Sequence, residues 1–132
     1  MAKSYVKMFN ELVDQFLIEI MEIFPENKHI KLKHVMFHTL IKVNVKKPCI
    51  DFMIRIIPYL EMVLLKDYNM FIGPDAPDII SDLKLDDKLL KNLSDNNKDV
   101  IWRYMKSFIA VGSKVIDMPE ETHKTINYII TN

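Results

Sequence analysis

Apolar spacing is strongest between Ser94 and Ile116. Ile101, Met105, Phe108, Gly112 and Val115 recur three or four residues apart, and Trp102, Ile109 and Ile116 widen the stripe. The spacing predicts one long helix over about 94–116 with a broad apolar face. Ser94 offers a hydroxyl to the free N–H groups of its first turn, and Asp95 and Asp99 put negative charge near the positive end of the helix dipole. At ~1.5 Å per residue such a helix is roughly 33 Å long, enough for other helices to pack along it.

Around it the pattern predicts further helices. Phe9, Leu12, Val13, Phe16, Leu17, Ile20 and Phe24 mark one face of a helix capped by Ser4 and running to about Ile23, with Glu11, Asp14, Glu19, Glu22 and Glu26 on the other and Pro25 ending it. Its phenylalanines fit burial, since a period of 3.6 is what a core demands. Ile30, Val35, Met36, Ile41 and Val43 suggest a second, less regular helix over about 30–43, followed by a turn at Asn44 and Pro48. A third apolar face runs through Ile50, Met53, Ile56, Ile57, Leu60, Val63 and Leu64; Pro58 interrupts it, and the continuing pattern predicts a kinked helix over about 48–66. Gly73, Pro74 and Pro77 mark a long loop, residues 75–91 read as acidic and broken, and a short last helix from Pro119 to about Ile130 should bring Ile126, Ile129 and Ile130 to the core.

With only two glycines in 132 residues and no regular turn signals, the chain reads as all-α: one helical domain over 1–132, an irregular bundle of five or six helices around the long one. Lys and Arg balance Asp and Glu at 18 each, so no global field draws the protein to nucleic acid or an anionic membrane. Charge is nevertheless segregated. Lys28, Lys31, Lys33, Lys42, Lys46 and Lys47 occur in a stretch without an acidic residue, and such a cluster is a candidate phosphate-binding face. No signal-peptide core or membrane span is evident, and the expectation is an intracellular protein or an internal part of a larger particle.

Catalytic chemistry finds little support. Cys49 is the only cysteine, which excludes an intrachain disulfide, and without a neighbouring base it reads as a small core residue. His34 and His38, four apart, share a helix face, but two ligands do not make a metal site and no HExxH motif is present, so neither metal nor cofactor is expected. Gly112 reads as a point of close helix packing. Trp102 reads as a core anchor, with Arg103 in solvent or on an acidic neighbour.

The segment Phe9–Glu26, the Pro58-Tyr59 pair followed by Asp67 and Phe71, and Ser94–Ile116 with its Asn97-Lys98, Ile101-Trp102, Tyr104 arrangement resemble a family of small helical proteins of nucleocytoplasmic large DNA viruses. The resemblance implies a viral protein acting through its surfaces in the host cytoplasm, the viral factory or the virion, and carries over no catalytic residue. Two functions follow as expectations. The first is a non-catalytic structural or protein-interaction protein, such as a minor capsid or internal virion component, which self-associates or binds a protein partner through Tyr68, Met70 and Phe71. The alternative is a nucleic-acid-associated factor using the six lysines of 28–47. Neither a membrane nor a small-molecule substrate is implied.

Overall fold

The computed structural model describes residues 4–67 and 91–131, and these contain helices and turns without a strand, so the chain is all-α. Helix α1 spans Tyr5–Ile23, α2 Lys28–Val43 and α3 Lys47–Ile56; a 3-10 turn at Ile57–Tyr59 leads into α4, Leu60–Leu64; α5 spans Asp95–Gly112 and α6 Glu120–Thr131. The expected contact residues Tyr68, Met70 and Phe71, and the loop at Gly73, lie outside the described residues.

Local chemistry sets the helix ends. Ser4 Oγ accepts from the Lys7 amide at 3.2 Å and Ser94 Oγ from the Asn97 amide at 3.1 Å. Asn27, not singled out from sequence, caps α2: its Oδ1 accepts from the His29 and Ile30 amides at 2.9 and 3.2 Å, which starts the helix two residues before Ile30. α5 stops at Gly112, four residues short of the expected Ile116, as the chain tightens into turns with Lys114 and Val115 donating to Val111 and Gly112. At 18 residues it is one shorter than α1. Pro58 falls inside the 3-10 turn, so the segment expected as one kinked helix is α3, a turn and α4. α4 ends in a Schellman arrangement, Lys66 donating to Val63 and Asp67 to Met62, with Lys66 at φ 56°, a conformation unusual for a residue bearing a Cβ.

The main contact of α1 is with α5; it also carries α2, while α3 touches both α1 and α5, and α6 packs on α5 and α4. The predicted apolar faces of α1 and α5 are inside: Phe9, Val13, Phe16, Leu17 and Ile20 meet Ile101, Trp102, Met105, Phe108 and Ile109 in one continuous cluster. Gly112 is where α5 meets α3 most closely. A Cβ there would lie 2.5 Å from Met53 Sδ and 2.7 Å from its Cγ, and Met53 is fully buried, so any larger residue at 112 would force the Met53 side chain to move. Asn10, the single buried polar residue among those described, donates from Nδ2 to the Val45 carbonyl at 2.9 Å and so fastens the α2–α3 connection onto α1. On α6, Ile126 and Ile129 are buried as expected, but Ile130 is 39% exposed: one position beyond Ile129, it has turned about 100° away from the core.

Candidate functional site

Helix α2 has large apolar side chains on two opposite faces. Ile30 and Phe37 are buried against the body and Ile41 is half-buried beside them. Leu32, Val35, Met36 and Val43 lie on the other side, exposed at 57, 63, 56 and 82%. Three of these outward residues, Val35, Met36 and Val43, had suggested the helix from sequence; the residues that seat it are Ile30 and Phe37. At about 100° per residue, 32, 35, 36 and 43 fall within one outward band about 100° wide, with Val35 and Met36 at its two edges. Residues 3.6 apart on a helix face one way whether they meet protein or water, so the pattern alone carried no direction.

By helix spacing Lys28, Lys31 and Lys42 lie toward one side of this band. Lys28, Lys31, Lys42 and Lys46 are exposed, Lys33 is half-buried, and Lys47 pairs with Asp51 at 2.9 Å. The basic segment is therefore partly neutralised, and the lysines left along α2 alternate with large apolar groups instead of lining a continuous phosphate track.

Toward α1, a side of α2 holds a different arrangement. His34 and His38 both approach Asp14, and each Nε2 is 2.7 Å from the same oxygen, Oδ1; the two Nε2 atoms are 3.3 Å apart. The histidine pair was legible in the sequence, but Asp14 stands twenty residues earlier on another helix and joins it only through the α1–α2 packing. Side-chain exposure is 31% at Asp14, 23% at His34 and 48% at His38, so the cluster is open to water on the His38 side. Burial works against ionisation of Asp14, but hydrogen bonds from His34 and His38 outweigh it and hold the carboxyl below its ordinary range. Alongside runs a groove of about 510 Å³ lined by Asp14, His38, Glu11, Phe37 and Ile41 among others; Asn10 lines it too and keeps Oδ1 buried without a partner.

Elsewhere the candidates are structural. Cys49 is fully buried, and burial pushes its thiol up to about 11. Native protein should therefore leave Cys49 unmodified by a disulfide reagent over minutes at pH 8, with full labelling in denaturant; rapid native labelling would contradict its burial. Trp102 is in the core, and Arg103 meets Asp99 at 3.5 Å with both ends exposed, a pair that adds little stability. Tyr104, from the most distinctive part of the Ser94–Ile116 segment, meets Phe16 and Phe108 in tilted ring contacts, with centroids 5.3 and 6.0 Å away. Among the described residues no helix is long and apolar enough to cross a membrane.

Comparison with protein-family models, curated proteins and solved structures returned no match to this chain.

Proposed function

We propose that this is a non-catalytic protein-interaction protein that assembles through the outward face of α2, with the chain acting as one irregular bundle organised on α5. The observation carrying this reading is the band of Leu32, Val35, Met36 and Val43 with Lys28, Lys31 and Lys42 exposed along the same helix. An exposed apolar row has no benefit to a monomer and favours a partner that covers it. The lysines ask that partner for acidic groups, and the outward face of α1 has them: Glu11 and Glu22 are exposed on the same side of the helix as Ile18, which is 39% exposed. A second copy of the chain therefore offers a surface of matching sign. Pairing α2 of one copy with α1 of the next is a head-to-tail contact, which repeats along an assembly unless its rotation closes a ring, and so suits a scaffold or minor virion component. The viral setting, in factory or particle, rests on the resemblance of Phe9–Glu26 and Ser94–Ile116.

Sedimentation at low and high salt, with and without a DNA duplex, tests the reading. Oligomers should form with rising concentration, weaken with salt, and be lost in Met36→Glu, whose circular dichroism spectrum should match the wild type. A monomer at every concentration would reject self-assembly, and a mass increase seen only with DNA at low salt would favour the nucleic-acid alternative through the same lysines.

A further inference from the structure

We propose that Asp14, His34 and His38 bind a divalent zinc-class cation that links α1 to α2 and keeps a coordination position open toward the adjoining groove. Two imidazole nitrogens and one carboxylate oxygen, each supplied by a different side chain, converge within hydrogen-bond distance of one another. α2 is seated by Ile30 and Phe37, whereas His38 is 48% exposed and could have extended into water.

The geometry suits a cation. A triangle with sides of 2.7, 2.7 and 3.3 Å has its corners about 1.7 Å from a common centre, so an ion roughly 2.0–2.1 Å from all three sits about 1 Å out of their plane. The two nitrogens then subtend about 105° at the ion, close to tetrahedral, and each nitrogen–oxygen pair about 80°, which opens toward tetrahedral if the carboxylate oxygen backs away by roughly 0.7 Å. Without a cation, Oδ1 takes two N–H donors whose hydrogens crowd each other across 3.3 Å. With both Nε2 atoms deprotonated, three electron-pair donor atoms lie within 3.3 Å of one another, and a positive ion is a species that all three can bind.

The ligand set also identifies the class of ion. Imidazole nitrogens with a single carboxylate favour first-row transition ions over calcium or magnesium, which take sets made wholly of oxygen. The i, i+4 spacing of His34 and His38 on one turn of α2 and the placement of Asp14 on the packed face of α1 preorganise the three donors, so little conformational entropy is lost on binding. Three protein ligands leave a fourth position for water, as in zinc sites that exchange ligands. The groove beside Asp14 and His38 gives that position access. The bound ion would connect α1 and α2 where α2 has few buried side chains.

The test uses the full chain, freed of metal by a chelator and titrated with zinc chloride against a competing indicator. Wild type should bind one equivalent with Kd of about 1 µM or tighter. Saturating zinc, at ~100 times Kd, should raise Tm by roughly 5–10 °C. Asp14→Asn, His34→Ala and His38→Ala should each weaken binding at least ~30-fold, whereas His29→Ala and His123→Ala, outside the cluster, should leave it unchanged. Cobalt in place of zinc should give wild type the intense visible bands of a four-coordinate ion, lost in Asp14→Asn, a readout that needs no comparison of variant stabilities. Wild-type binding weaker than ~100 µM would overturn the proposal. So would zinc affinity indifferent to all three ligand substitutions, or a cobalt complex without those bands.

Discussion

Replacing Phe108 with alanine is expected to destabilise the protein by about 3–5 kcal/mol, a large share of the roughly 5–15 kcal/mol that a domain of this size has. The ring is fully buried and faces four others: Phe9, Phe16 and Phe52 each at 5.5 Å between centroids, and Tyr104 at 6.0 Å. These partners come from α1, α3 and α5, so deleting the ring opens a cavity where three helices meet, and no single helix can move inward to close it without leaving the others. The edge-on contacts with Phe16 and Phe52, at 89° and 76° between ring planes, add an attraction of order 0.5–1.5 kcal/mol per pair beyond area. Phe108→Leu, which keeps most of the volume, should cost well under half as much. Urea unfolding of both variants reads the difference directly. A loss below ~1 kcal/mol for the alanine variant would mean that the aromatic junction is not where the core is held.

Phe37→Ala should have an effect of similar size but different distribution. Among the residues of α2 only Ile30 and Phe37 are buried, at 0 and 1% exposure, so the helix is seated by two side chains, half-buried neighbours and the Asp14 contacts. Removing the larger should cost about 3–4 kcal/mol, most of it as local opening of α2. Hydrogen exchange would then show amides within Lys28–Val43 losing about two orders of magnitude of protection while α5 stays protected, since ~1.4 kcal/mol is a factor of ten. Equal loss in α2 and α5 would instead mean that α2 unfolds only with the whole. The Asn10 side chain, which holds the Val45 carbonyl, should keep the end of the α2–α3 connection anchored in either case.

Sequence periodicity determined a good deal. Where a helix has one apolar face, as in α1 and α5, burying that face is the only arrangement that removes it from water, so the residues of the core follow from spacing; the caps at Ser4 and Ser94 follow from local backbone chemistry in the same way. Cys49 as an inert core thiol and Gly112 as a close crossing were legible for similar reasons. Three features came only from the structure. α2 has apolar groups on both sides, and a period of 3.6 does not say which side meets α1, so Val35, Met36 and Val43 could be read as its pattern while Phe37 became its anchor. α5 ends at Gly112, where the chain tightens into successive turns, and Ile130 is exposed because it lies about 100° around α6 from the buried Ile129. The candidate metal cluster depends on Asp14 and His38 being 24 residues apart in the chain and 2.7 Å apart in space. Spacing within one helix can pair two histidines, but the third ligand comes from the packing of α1 on α2, a contact between elements that no local pattern specifies.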